Sequence, residues 1–376
     1  DVVANFLRWI PEQEQSKRKL VLDAALLSRP FNQDELEAFP YLSEQERPAL
    51  YRWLRAQPFI RSNPQDGRQS YHELAQELFS RHLNQLSPSG CYATRRALVE
   101  YYRKQLKSIE AEGDKDIYQT SQWLELALAL AYQLFLLPDE ASHIQAIEQM
   151  VNTFDHTTQR EEAIIRMLRG LSQEQQNSQI SVGARQTAKQ LLRCVETDKA
   201  DQEVLMAFDY LLEKVTHNPS FSKDVLASLY DARGDGYSNL EQYQLAIADY
   251  DHAIHFDPND AVYYFNRGNA YDNLEQYQLA IADYDHAIDL DPNDVSAYNR
   301  RGNAYISLEQ YQLAIADCTR AIDLDSKDAV LYSNRGLVYS NLEQYQQAIA
   351  DYDRAIHLDP NNAVYYSNRG DAYSNL

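Results

Sequence analysis

The chain has 376 residues, of which 44% are hydrophobic and 24% are charged, which is ample for a folded core and excludes a disordered or collagen-like chain. Only 11 Gly and 12 Pro interrupt it, so turn residues are too few for an all-β fold and an all-α fold is expected. The formal net charge is −21, and residues 227–376 carry 24 acidic against 9 basic side chains, which argues against partners such as nucleic acid or an anionic membrane.

The cysteines and the apolar stretches indicate in which cellular compartment the protein is expected. Cys91, Cys194 and Cys318 lie more than 100 residues apart and form no CxxC pair, so we expect neither disulfides nor a metal site, and a cytoplasmic location. The stretch from Leu124 to Leu137 is too short and too polar to span a bilayer, and we expect a buried helix there. We expect both ends to be cut from a longer protein, because the chain starts at Asp1 without a Met and the last repeat described below is truncated at Leu376.

Residues 1–110 form the first predicted domain. Helical patterns at 16–28, 33–39 and 43–57 precede two extended runs, 59–61 and 69–71, which flank an Asp66-Gly67 turn, and a further helix is predicted over 72–86. Three helices and a small β-hairpin are typical of a winged-helix domain.

The segment SYHELAQELF, from Ser70 to Phe79, carries a resemblance. It resembles the His-Asp-type motif in the winged helix of STAND (NACHT/NB-ARC-like) signalling ATPases, in which a His contacts the β-phosphate of ADP. The resemblance implies that His72 senses nucleotide, although Glu73 stands where Asp is usual; alternatively, His72 merely begins a helix. Because no GxxxxGK[ST] motif occurs, we expect no cofactor in this chain, and ADP or ATP only in a parent with an upstream ATPase module.

Arginines in the same region leave a second interpretation open. Arg47, Arg52 and Arg55 lie near one predicted helix, and Arg61 and Arg68 lie on the predicted wing, as in a winged helix that binds DNA. Residues 111–226 follow as a predicted helical connector, which resembles degenerate repeats at most and carries no motif. Its amphipathic helices are predicted at 123–137, 144–154, 161–171, 184–195 and 203–215.

Residues 227–376 repeat with a period of 34, with units starting near residues 227, 261, 295, 329 and 363. Each unit contains apolar positions at helical spacing on two helices. The period is carried by glycines (Gly234, Gly268, Gly302, Gly336, Gly370), by tyrosines three residues later, and by paired alanines such as Ala280 and Ala287. An Asp-Pro-Asn-Asp segment ends a unit and supplies the cap of the next helix.

These residues resemble the tetratricopeptide repeat (TPR), a helix-turn-helix unit that stacks into a right-handed α-solenoid. Ser326 departs from the family at the loop Pro, and Cys318 at the aromatic of the second helix. Arg267, Arg301, Arg335 and Arg369 stand where Leu is usual; we expect them to pair with acids such as Asp283, although a binding role is the alternative.

The resemblance implies that the first helices line a concave groove for a protein or peptide ligand. Asparagines on these helices can pair with the main chain of an extended ligand, while apolar residues and Arg300 give specificity; alternatively, the asparagines are solvated or bond between repeats. The candidate partner-binding residues are Phe265, Asn266, Asn269, Asn299, Arg300, Asn303, Ile306, Asn334, Leu337 and Asn368. Asp231 and Asp235 occupy positions where chaperone-tail binders have Lys and Asn, which argues against that ligand.

No catalytic motif is present, and we expect this chain not to be an enzyme. His252 and His255 lack a third metal ligand and are interpreted as surface residues. The sequence therefore predicts a protein-interaction module, namely the C-terminal sensing arm of a STAND-type ATPase that self-associates on activation. The alternatives are a stand-alone TPR scaffold and a winged-helix DNA-binding regulator.

Overall fold

The computed structural model describes residues 3, 7–8, 10–11, 13–27, 31, 33–62, 68–71, 73–111, 120–155, 161–173, 181–196, 202–216, 218 and 221–376. It divides into two compact units, residues 1–198 with 206–225, and residues 199–205 with 226–376. Within the described residues, no helix combines the length and the apolar character needed to cross a membrane. The three-part division at residues 110 and 226 stays a prediction.

Among its described residues the first unit is helical apart from one hairpin, and its elements lie within a few residues of the predicted ones, except the helix Pro88–Glu110, which was not predicted. Strand β1 (Ile60–Ser62) pairs antiparallel with β2 (Gln69–Tyr71), and Phe31 bridges to Gln69 on the other side of β2. The predicted Asp66-Gly67 turn and His72 lie outside the described residues. The helices are α1 (Gln15–Ala24), a 3-10 helix (Asp34–Ala38), α2 (Arg47–Arg55), α3 (Glu73–Leu86), α4 (Pro88–Glu110), α5 (Ser121–Phe135), α6 (Glu140–Asp155), α7 (Glu161–Gln173), α8 (Val182–Glu196) and α9 (Gln202–Val215).

Side chains from three later elements satisfy the carbonyl groups at the end of α1. The Tyr71 hydroxyl donates to the Val21 carbonyl at 2.6 Å, and the Ser80 hydroxyl donates to the Ala25 carbonyl at 3.0 Å. The Gln133 amide reaches the Leu26 carbonyl at 2.7 Å from a position 107 residues away. Because unpaired buried carbonyls are costly, these bonds hold α1 against β2, α3 and α5. The apolar stretch from Leu124 to Leu137 is a buried helix, as predicted.

The second unit is a stack of helix pairs, and four complete pairs are followed by a single helix. The first helices are α10 (Lys223–Asn239), α12 (Ala261–Asn273), α14 (Val295–Ser307), α16 (Ala329–Asn341) and α18 (Ala363–Ser374). The second helices are α11 (Tyr243–Phe256), α13 (Tyr277–Leu290), α15 (Tyr311–Leu324) and α17 (Tyr345–Leu358).

The loops of the array show why the helices begin and end where they do. Asp260 caps α12 by accepting from the Val262 amide at 2.9 Å, and Asp294, Asp328 and Asn362 cap the next first helices in the same way. The predicted capping role of these loops is confirmed. Two residues after the end of each of the first four first helices lies a Glu with φ near +58°, such as Glu275 (φ 57°) after α12, and there the chain turns into the second helix.

Glycine lets the two helices of a pair approach closely. A Cβ atom on Gly268 would lie 2.8 Å from Cε1 of Tyr284, and one on Gly234 would lie 2.7 Å from Cε1 of Tyr250. No real side chain tolerates those distances, so any larger residue would push the helices apart. The alanines on the second helices, such as Ala280 and Ala287, are fully buried in the same contact layer.

Candidate functional site

The first helices of successive repeats form one continuous surface. They contact each other directly, and side-chain hydrogen bonds join them: the Asn266 amide donates to Asp231 at 3.1 Å, and the Asn334 amide donates to Asn299 at 2.8 Å. All ten sequence-predicted partner-binding residues lie on the first helices α12, α14, α16 and α18. We call the side of the array on which these bonds lie the first-helix groove.

Several asparagines of the groove use part of their amide within the array. The Asn269 carbonyl oxygen accepts from the Tyr284 hydroxyl at 2.9 Å, while the Asn266 amide nitrogen also reaches Asp235 at 3.3 Å. The alternative expectation of bonds between repeats therefore holds for Asn266, Asn299 and Asn334. The other amide atom of each residue stays available to a ligand, and the ligand role stays a prediction.

Asn303 differs from Asn269 because of its neighbour on the second helix. Cys318 stands where Tyr284 stands in the preceding repeat, so no hydroxyl reaches Asn303, and its side chain makes no hydrogen bond among the described residues. Asn368 likewise has no side-chain hydrogen bond within the described part of the chain. Both amides can offer a donor and an acceptor at the same time.

Arg300 is the basic side chain of the groove. It is exposed, and no ion pair with it is present among the described residues. Its charge acts on Asp272 one repeat earlier: burial raises the pKa of Asp272, and the positive charge of Arg300 opposes that rise. Phe265 lies half-buried on α12 with its ring 6.0 Å from that of Tyr284, and Ile306 is half-buried on α14.

The neighbouring arginine, Arg301, has a different environment. Its Nε and Nη2 atoms bind both oxygens of Asp317 on the second helix of its own repeat at 2.8 and 2.6 Å, and Nη1 binds Asp285 of the preceding repeat at 2.5 Å. Arg267 binds Asp283 and Asp251 in the same arrangement. The predicted pairing of these arginines with acids is confirmed, and their guanidinium groups are engaged within the array.

The first repeat gives one end of the groove a negative charge. The carboxylates of Asp231 and Asp235 share the amide of Asn266, and Asp235 also accepts from the Tyr250 hydroxyl at 2.8 Å. Burial raises the pKa of Asp235, and the hydrogen bond from Tyr250 only partly offsets this rise. A ligand carboxylate would be repelled at this end, which agrees with the argument against chaperone tails.

A candidate metal-binding histidine and two candidate DNA-binding arginines contact other residues of the protein. The His252 ring stacks on Tyr230 with centroids 4.7 Å apart, and among the described residues no three side chains are grouped as metal ligands. Arg68 pairs with Glu125 on α5 at 2.5 Å, so this wing residue is held by the protein itself. Arg47 lies 3.9 Å from Glu37.

Replacing Asp235 with Asn tests the electrostatics of this end. Because the pKa of Asp235 is raised in the folded state, its charge destabilises the fold at neutral pH, and this penalty disappears as the pH falls towards the ordinary value of 3.8. Asn269 shows that Asn accepts the tyrosine hydroxyl at this position. We expect Asp235→Asn to raise the melting temperature at pH 7, by an amount that shrinks to nothing in acid.

The control is Asp257→Asn, in the loop between two repeats, where the carboxylate accepts from the local Asn259 amide. A melting temperature of Asp235→Asn that is equal to or below that of the parent at pH 7 would contradict the analysis. Differential scanning calorimetry across pH gives both curves.

Comparison with solved structures finds proteins to which part of the chain is similar. A fragment of MamA from Desulfovibrio magneticus RS-1 is 19% identical, with 52% of this chain and 96% of that chain covered and a TM-score of 0.40. YrrB, described as a TPR protein with an unusual peptide-binding site, is 18% identical over 59% of this chain and 97% of its own, with a TM-score of 0.40. The first TPR of Spaghetti (RPAP3), bound to an HSP90 peptide, is 29% identical over 31% of this chain and 94% of its own, with a TM-score of 0.31.

No curated protein matches the chain. Models of the tetratricopeptide repeat family match residues 261–294, 295–328 and 329–362, and a second model of the same repeat matches residues 227–260. These four segments coincide with the helix pairs α10–α11, α12–α13, α14–α15 and α16–α17. Residues 227–362 are therefore recognised as tetratricopeptide repeats.

Proposed function

We propose that the first-helix groove binds an extended segment of a partner protein, with its main contacts where repeat 261–294 meets repeat 295–328. The observation that carries this proposal is the pair of unengaged polar side chains, Arg300 and Asn303, at that junction. Elsewhere along the groove, Asn266, Asn269, Asn299 and Asn334 use amide atoms in hydrogen bonds within the array, whereas Asn368 does not.

The neighbouring junctions are joined by side chains 35 residues apart. Asn266 bonds Asp231, and Asn334 bonds Asn299. At the proposed contact, the corresponding pair is Phe265 and Arg300, and this pair cannot form such a bond because the phenyl ring has no acceptor. The Arg300 side chain is thus left for a ligand, beside the half-buried Phe265 ring.

The chemistry of the junction suits an acidic group next to an apolar side chain. Arg300 can bind a carboxylate through two parallel hydrogen bonds, and Asn303 can pair with a peptide group of an extended main chain. Phe265, Ile306 and the exposed Leu337 supply apolar contacts. Asp231, Asp235 and Asp371 lie on either side along the array, so the flanks of the ligand should be neutral or basic.

Peptide display tests this proposal without a known partner. Peptides selected on the full chain from a random library should lose about tenfold or more in affinity on Arg300→Glu, because a charge-assisted contact becomes a repulsion. Lys327→Glu makes the same change of charge on an exposed loop and should alter Kd less than about twofold. Fluorescence anisotropy with the synthetic peptides measures both. Equal losses in the two variants, or none in either, would contradict the proposed site.

We further propose that the chain is the non-catalytic regulatory arm of a STAND-type ATPase. Support comes from the motif around His72 and from its context: α3 begins at Glu73, directly after β2, and three helical segments precede the hairpin as in a winged helix. In this proposal His72 contacts ADP held by an upstream module, ligand in the groove weakens that contact, and the released protein self-associates. A stand-alone scaffold is the alternative, and the pairing of Arg68 with Glu125 disfavours the DNA-binding alternative.

The parent gene tests the regulatory proposal. We expect it to encode a GxxxxGK[ST] loop upstream of residue 1, and His72→Ala in that intact protein should shorten the retention of bound ADP. The exposed His255→Ala is the matched control and should leave ADP retention unchanged. A parent gene without such a loop, or unchanged retention in His72→Ala, would leave the scaffold interpretation.

A further inference from the structure

Repeat 295–328 differs from the other three complete repeats in its second helix and the loop after it. Four positions that are constant in the other three repeats are changed there, and all four lie within ten residues; one of them is Lys327, which replaces the asparagine of Asn259, Asn293 and Asn361. Cys318 replaces the tyrosine of Tyr250, Tyr284 and Tyr352; Thr319 replaces the aspartate of Asp251, Asp285 and Asp353; Ser326 replaces the proline of Pro258, Pro292 and Pro360.

Cys318 removes one hydrogen bond and one aromatic contact between the second helix and the first, while Arg301 still binds Asp317 across this helix pair. In the preceding repeat, the Tyr284 ring fills the space over Gly268, and its hydroxyl bonds Asn269 at 2.9 Å. In repeat 295–328 the thiol lies 3.4 Å from where a Cβ of Gly302 would be, and Asn303 receives no hydroxyl. The contact area of one aromatic ring and one hydrogen bond are therefore missing from this helix pair.

Thr319 weakens the link from this second helix to the next repeat. Arg335 reaches the neutral Thr319 hydroxyl at 3.2 Å, whereas Arg267, Arg301 and Arg369 each bind a carboxylate at 2.5 Å in the same position. The bond from Arg335 to Thr319 lacks the attraction between opposite charges that the other three pairs have. The α15 helix is thus less firmly attached on this side as well.

The loop after α15 adds a third change in the same direction. Proline at this position restricts the unfolded chain, and serine does not, so Ser326 favours the locally unfolded state. The first helices are not affected in this way, because Asn334 still bonds Asn299 across the same junction. The losses are confined to α15 and its following loop.

We propose that α15 opens before the other second helices inside the array, so that residues 311–328 act as a hinge between repeats 227–294 and the segment 329–376. In a stack of repeats each unit is held mainly by its neighbours, so a unit with weaker contacts on two sides opens at lower free energy. Arg300 and Asn303 belong to the same repeat, so opening changes the groove next to them. This last consequence rests on the proposed function, whereas the opening itself does not.

Native-state hydrogen exchange of the full chain, followed by mass spectrometry, tests the hinge. Amides of 311–324 should exchange about tenfold or more faster than those of the equivalent helix 277–290, which is also flanked by repeats on both sides. Thr319→Asp should restore the ion pair with Arg335 and slow exchange in 311–324 severalfold. Thr319→Asn introduces a side chain that is similar in size to aspartate but neutral, and it should not slow exchange in 311–324.

A second variant, Cys318→Tyr, tests the same proposal in case Thr319→Asp does not fold. Cys318→Tyr should restore the ring over Gly302 and the bond to Asn303, and it should also slow exchange in 311–324 while 277–290 stays unchanged. Equal protection of the two helices in the parent chain would overturn the inference. The inference would also be overturned if Thr319→Asp slowed exchange equally in all second helices, or if Thr319→Asn slowed exchange in 311–324 as much as Thr319→Asp does.

Discussion

An arginine held between two aspartates from different second helices is the interaction on which the array depends. The Arg301 guanidinium takes both oxygens of Asp317 within its repeat and one oxygen of Asp285 in the preceding repeat. Its side chain is 17% exposed and that of Asp317 is 8% exposed, so water screens the pair only weakly. Burial alone would lower the pKa of Arg301, but the hydrogen bonds and charges of the two aspartates outweigh it and raise the pKa. One side chain thereby joins three helices and fixes the spacing of two repeats.

This arrangement also decides what the groove can offer a partner. The two adjacent arginines have different roles. Arg301 forms ion pairs within the array, whereas the Arg300 side chain stays exposed. The same division applies to the asparagines: Asn266 and Asn334 tie first helices together, while Asn303 is left over because Cys318 cannot replace a tyrosine hydroxyl. The departures in repeat 295–328 thus create both a weaker helix pair and a set of unengaged groups.

Periodicity predicts the array well because its contacts are local and repeat. The 34-residue spacing of glycine and tyrosine places the helix pairs, and the arginine and aspartate positions predict their own ion pairs, since both recur every repeat. The hydrogen bonds of each polar side chain in the groove could not be predicted in the same way, because they depend on the residue opposite in the preceding repeat, such as Asp231 for Asn266 and Phe265 for Arg300. In the first unit, the bond between Gln133 and Leu26 joins residues 107 apart, and no local pattern indicates it. The hairpin was predictable from its short extended runs, whereas the pairing of Arg68 with Glu125 was not.

The most direct test compares the two adjacent arginines by urea unfolding of the full chain, followed by circular dichroism. Arg301→Met should lower the free energy of unfolding by about 2–4 kcal/mol, because it leaves two aspartates without their partner. Arg300→Met should change it by less than about 0.5 kcal/mol, because its side chain is exposed. Adding Asp285→Asn and Asp317→Asn to Arg301→Met should recover most of the loss, since the unpaired charges are then gone. Equal effects of Arg300→Met and Arg301→Met would contradict the account, and so would an Arg301→Met chain as stable as the parent.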